Sequence, residues 1–229
     1  MIKTTAAVGM FAAVMTGWTY LQEPARDTRI LPNAGGREGA CVIWFVGSST
    51  IHRWTTLATD MRPWITHNRG IDGATYDEIR HGFSNEGPVK RPQAIVLYVG
   101  ENDIAFGSSA PDAVDDLRAF LRVKTNRMGD VPVFVISLKP SPTRWANLPD
   151  QTAFNVAARK IADDMRDVRY VDVVPLMLVN GRPGPFYAAD GVHMSTLGYQ
   201  LWSGVIRNAL AHGLPRKIVQ RCDPAESLG

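Results

Sequence analysis

Val42-Ile-Trp-Phe-Val46 is an unbroken apolar run that stops abruptly at Gly47-Ser48-Ser49-Thr50. A strand buried on both faces reads this way, because helices cover both sides of a parallel sheet and leave no polar face. Gly47 then permits a tight exit that a residue with a Cβ would resist. Residues just past the carboxyl end of a strand in an open α/β sheet lie where ligands bind, so Ser48 and Ser49 become candidate nucleophiles. Taken alone, Gly-Ser-Ser suits a helix N-cap equally well.

The rest of the chain repeats the pattern. Further strands are expected at Trp64 to Asn68, Ala94 to Val99, Val131 to Ser137 and Arg169 to Val174, and helices at Thr50 to Asp60, Thr75 to Phe83, Pro111 to Asn126, Asp150 to Asp167 and Thr196 to His212. Short apolar strands alternating with helices argue for a parallel sheet covered on both sides. Three strand ends carry loops of note: Arg69-Gly-Ile-Asp-Gly73, Gly100-Glu-Asn-Asp103, and the rigid Lys139-Pro-Ser-Pro142 followed by Arg144 and Trp145. A long loop from Pro175 carries Asp190-Gly-Val-His193.

At 229 residues the chain suits one domain of ordinary size. Met1-Ile-Lys3 followed by an uncharged apolar stretch to Trp18 has the form of a secretory signal, so residues 1–22 are expected to be a signal peptide or a retained N-terminal anchor. Residues 23–39 read as a flexible linker, 40–213 as the folded domain and 214–229 as a C-terminal tail. The protein is therefore expected to be exported, periplasmic or secreted, and to meet a membrane only through that N-terminal segment. Cys41 and Cys222 could form a disulfide in such a compartment, but their positions do not show that they meet. With 25 basic and 22 acidic residues and no basic run interleaved with aromatics, nucleic acid is not an expected partner.

A hydroxyl nucleophile needs a base, a group that orients the base, and donors for the oxyanion. Ser49 is placed to attack a carbonyl carbon, with His193 taking and returning its proton and Asp190 holding the other imidazole nitrogen. The backbone N–H groups of Ser49 and Gly73, with the Asn102 amide, would serve as oxyanion donors. His52, His67, His81 and His212 lack a nearby Asp in a comparable loop and read as surface or structural. Among aromatics near the strand ends, Trp145 is the candidate substrate contact ahead of Trp54 and Tyr187. Lys139 and Arg144 are most simply solvated.

Gly47-Ser-Ser49, Gly73, Gly100-Glu-Asn102-Asp103 and Asp190-Gly-Val-His193 resemble, in order and spacing, the four blocks of the SGNH (GDSL-type) esterase and lipase family. The resemblance spans Cys41 to Leu210. It implies a flavodoxin-like three-layer α/β/α sandwich whose five-stranded parallel sheet runs in the order 2-1-3-4-5. Ser49 would be its nucleophile, Gly73 and Asn102 its oxyanion donors and Asp190–His193 the rest of its triad, with no metal or organic cofactor. Ser48 stands where the family name has Asp, and is the alternative nucleophile.

The expected activity is hydrolysis of carboxylic esters, of short acyl groups such as acetyl, through an acyl-Ser49 intermediate on a small-molecule or glycan ester. One alternative passes the acyl group to a glycan hydroxyl with the same triad. Another is a catalytically silent carbohydrate-binding module on the same fold. Activity should fall on the acidic side of neutrality, where a protonated imidazole cannot accept the serine proton.

Overall fold

The computed structural model describes residues 30–32 and 39–223. The signal or anchor expected at 1–22 and most of the linker expected at 23–39 lie outside them; of that linker's described residues, Leu31 is buried in the core rather than free, because its side chain is apolar and its carbonyl accepts from Arg69. Among the described residues no helix is long and apolar enough to cross a membrane.

Five strands form the central sheet: β1 (Val42–Gly47), β2 (Ile65–Gly70), β3 (Ala94–Tyr98), β4 (Val133–Ile136) and β5 (Val168–Val171). Their order is β2-β1-β3-β4-β5 and every pairing is parallel. The flavodoxin-like order implied by the resemblance is the order observed. Every residue of β1, β3 and β4 is buried, as their continuous apolar sequences require. The edge strand β2 is polar and half-buried over its first four residues.

Helices cover both faces. α3 (Tyr76–Asn85), α5 (Ala110–Met128) and α6 (Leu148–Asp164) pack side by side on one face. There Trp44 meets Phe83 and Phe83 meets Phe120, edge to face. The long α8 (Thr196–Gly213) lies against the other, where Trp202 packs edge to face on Tyr98 and Trp54, and Trp54 in turn on Phe45. α5 begins where its sequence directs. Ser109 accepts the Asp112 N–H, the Asp112 carboxylate accepts the Ser109 N–H, and Pro111 fills a first-turn position that needs no donor.

The structure departs from the sequence reading in three places. The helix expected over 50–60 is two short ones, α1 (Ser49–His52) and α2 (Leu57–Asp60), because the Trp54 indole turns into the core between them and donates to Asp60. Four small elements were not anticipated: α4 (Glu101–Ala105), α7 (Val174–Met177) and the two-residue strands β6 (Leu178–Val179) and β7 (Arg182–Pro183). The stretch after α8, read as a tail, holds α9 (Arg216–Cys222), whose Val219 is buried. The open question of the cysteines is answered here: Cys222 is disulfide-bonded to Cys41 at the start of β1, across 181 residues. Closing a loop of that length is worth about 5 kcal/mol in the chain-entropy account.

Candidate active site

β1 leaves the sheet at Gly47, where an added Cβ would stand 2.0 Å from the Tyr98 carbonyl oxygen. Only glycine lets the chain hug β3 this closely, and the contact continues as the Ser48 N–H donates to that same carbonyl at 3.0 Å. Ser49 is thereby fixed as the first residue of α1, at the carboxyl edge of the sheet and nearly buried. Its backbone N–H belongs to the helix's first turn and has no partner within the helix.

The Ser49 hydroxyl lies 3.0 Å from His193 Nε2. On the other side of the ring, Nδ1 donates to Asp190 Oδ2 at 2.6 Å. Asp190 is itself held by the backbone N–H groups of Val192 and His193, both 2.9 Å from Oδ1. Burial works against its charge, but the His193 bond and these two N–H donors outweigh burial and hold the carboxyl well below the usual carboxylate range. The loop is pinned from outside as well: Thr143 Oγ1 donates to the Asp190 carbonyl, and the Thr143 N–H to the Gly191 carbonyl. The structure thus brings Ser49, His193 and Asp190 into one line, and the hydroxyl facing the imidazole is that of Ser49 and not Ser48.

Gly73 follows β2 and Asn102 follows β3, the two strands that flank β1. Gly73 has φ +70°, a left-handed conformation that favours glycine. Asn102 is buried in α4, and its Nδ2 donates to the Ala74 carbonyl at 3.0 Å, which ties α4 to the Gly73 loop. Asp103, next in the chain, accepts the Tyr76 N–H at 3.0 Å, and burial lifts its carboxyl to about 6.

Two residues expected in solvent are not there. Lys139 is fully buried, its ammonium on the Glu101 carboxylate, and Arg144 donates to Asn102 Oδ1 at 2.9 Å while standing 3.4 Å from Glu101. The proline-stiffened loop after β4 folds inward over the sheet edge, and the carboxylate awaiting it is Glu101. Tyr98 and Ser141 hydroxyls also donate to Glu101. Burial opposes its charge, but Lys139, Arg144 and these donors keep its carboxyl below the ordinary value. A signal existed: Glu101 and Lys139 each follow closely on an apolar strand, and those strands are neighbours in the sheet.

Arg53, which the sequence reading passed over, makes a two-pronged bond to Asp72 at 2.8 and 2.9 Å and leaves Nη1 3.1 Å from His193 Nδ1. Of the aromatics weighed as substrate contacts, Trp54 is a core residue and Tyr187 is half-buried, its hydroxyl bonded to the Pro140 carbonyl. Trp145 lies half-buried in a short 3-10 turn with the Arg182 guanidinium 5.3 Å from its ring centre. Among the described residues no group of three His, Cys, Asp or Glu side chains is placed to hold a metal ion.

Residues 37–201 match the GDSL-like lipase/acylhydrolase family, well over half of the chain. The chain belongs to that family. This GDSL-like protein is a carboxylic ester hydrolase. Its fold is shared by a GDSL-like lipase from Bacteroides thetaiotaomicron, with 21% identity, 76% of this chain and 90% of that one covered and a TM-score of 0.62. A member of the lipolytic G-D-S-L family from Veillonella parvula is 16% identical over 74% of this chain and 96% of its own, with a TM-score of 0.62. A carbohydrate esterase family 3 protein from Talaromyces cellulolyticus is 18% identical over 75% and 96%, with a TM-score of 0.59. At these identities the likeness shows the fold. No curated protein matches the GDSL-like chain.

Proposed function

We propose that the protein is a serine esterase that removes short acyl groups, such as acetyl, from a glycan or small-molecule ester through an acyl-Ser49 intermediate. The observation that carries this reading is the unbroken line from Asp190 through His193 to the Ser49 hydroxyl. Ser49 Oγ attacks the ester carbonyl carbon as its proton passes to His193 Nε2, and Asp190 stabilises the imidazolium that results. The oxyanion is met by the N–H groups of Ser49 and Gly73 and by Asn102 Nδ2. Collapse returns the proton from His193 to the departing alkoxide. A water deprotonated by His193 then releases the acid and frees Ser49.

Two observations support the finer parts of the reading. The likeness to a carbohydrate esterase supports a glycan ester, with Trp145 as the aromatic surface beside it. The Cys41–Cys222 disulfide supports an exported protein, because such bonds persist in oxidising compartments.

The test is turnover of aryl esters of increasing acyl length by the full chain beside Ser49→Ala and Ser48→Ala. Turnover should peak at acetyl, fall by about a thousandfold or more in Ser49→Ala with melting unchanged, and survive in Ser48→Ala. Activity that persists in Ser49→Ala and vanishes in Ser48→Ala would overturn the assignment.

A further inference from the structure

Asn102 is asked to donate to an oxyanion, and that demands an amide turned the right way round. Its two ends are fixed by different partners: Nδ2 donates to the Ala74 carbonyl and Oδ1 accepts from Arg144. Turning the amide over would set two acceptors against each other at Ala74 and two donors at Arg144. One Nδ2 hydrogen is spent on Ala74, and the second remains for the reacting oxygen.

Arg144 is not held by Asn102 alone. Its guanidinium also faces Glu101, whose carboxylate takes the buried Lys139 ammonium and the hydroxyls of Tyr98 and Ser141. Two cations therefore face one carboxylate in a setting from which water is largely excluded. The Arg144 guanidinium stands at the carbonyl end of the Asn102 amide, where it draws electrons from Nδ2 and sharpens it as a donor. None of these side chains is needed to hold the triad, which takes its own bonds from Val192, His193 and Thr143.

We infer that Arg144, anchored on the Glu101–Lys139 pair, is the positioning residue of the oxyanion amide: it holds and polarises Asn102 and touches the reacting atoms only through it. This rests on the esterase reading above, in which Asn102 meets the oxyanion. The interaction should be worth more in the transition state than in the bound ester, so its loss should appear in kcat and leave KM nearly unchanged.

The experiment is a double-mutant cycle on the full, disulfide-bonded chain with an aryl acetate as substrate, comparing Arg144→Ala, Asn102→Ala and the double variant. Asn102→Ala should lower kcat by about a hundredfold or more. Arg144→Ala should lower it by about tenfold to a hundredfold with KM unchanged, and should cost almost nothing further once Asn102 is already Ala. If Arg144→Ala melts early, the cycle is repeated with Arg144→Met, which keeps the aliphatic stem and removes every donor.

A full loss from Arg144→Ala that persists in the Asn102→Ala background would overturn the inference and leave the esterase reading intact. So would a raised KM at constant kcat, which would make Arg144 a substrate contact. Wild-type activity in Asn102→Ala would remove the oxyanion role and the inference with it. An absence of any Ser49-dependent reaction would instead sink the esterase reading itself.

Discussion

The two ends of the sheet each bury a lysine on a carboxylate, and they use it differently. At the amino end Lys124 of α5 is fully buried, bonded to the Gly129 carbonyl and to Asp167 just ahead of β5. Its partners are a helix terminus and a strand entry, so the pair clamps α5 to the sheet and leads nowhere else. At the carboxyl end Lys139 meets Glu101, and the same carboxylate passes on to Arg144 and from there to Asn102. A buried ion pair rarely repays its own desolvation, so its presence is weak evidence of stability. What distinguishes the two is the third partner: backbone at one end, the amide proposed to meet the oxyanion at the other.

Replacing each lysine by methionine tests that contrast most severely. Lys139→Met leaves Glu101 buried with less than its full complement of charge and should cost about 3–5 kcal/mol of unfolding free energy, while also lowering kcat. Lys124→Met should cost less, because Asp167 is partly exposed and can turn to water, and its kcat should match the wild type. Urea unfolding and aryl-ester turnover on the same two variants give the answer. Equal losses of activity would dissolve the distinction between the two ends.

The carboxyl end also contains a carboxyl that pays for its burial. Asp103 is lifted to about 6, chiefly by desolvation, against about 3.9 in an unfolded chain. A group whose folded value is raised favours the folded state at low pH, and that contribution disappears as pH climbs through the folded value. Stability should therefore decline between about pH 4 and 6 by roughly 3 kcal/mol on account of Asp103. Asp103→Asn should flatten that segment of the unfolding free energy against pH. An unchanged slope in the variant would show that another group carries it. Asp190 behaves oppositely: its lowered value keeps its stabilisation complete throughout this window, to be lost only in stronger acid.

The contrast between the ends also explains what was legible in the sequence. β1, β3 and β4 are continuous apolar runs, and their burial on both faces is the direct cause, so strand positions and sheet class could be read residue by residue. Ser49, Asp190 and His193 were legible because short loops fix them: Asp190 reaches His193 within three residues, and Gly47 forces the turn that delivers Ser49. The order of the strands came through the family resemblance, since local pattern carries no information about which strands are neighbours. For the same reason the Lys139–Glu101–Arg144 cluster was missed. Its members lie 38 and 43 positions apart from Glu101, and a buried lysine looks like a solvated one until the neighbour strand is known. The helix break at Trp54 was missed on similar grounds, because a helical stretch does not announce where an indole will interrupt it.

A last pair sets the scale by depth. Arg53 and Asp72 also stand at the carboxyl end, and their two-pronged geometry is better than that of either lysine pair, yet both side chains are more than a third exposed. Water and salt screen such a pair, so Arg53→Gln should change the unfolding free energy by less than about 1 kcal/mol. A loss of stability as large as that of Lys139→Met would mean that exposure does not set the strength of these pairs.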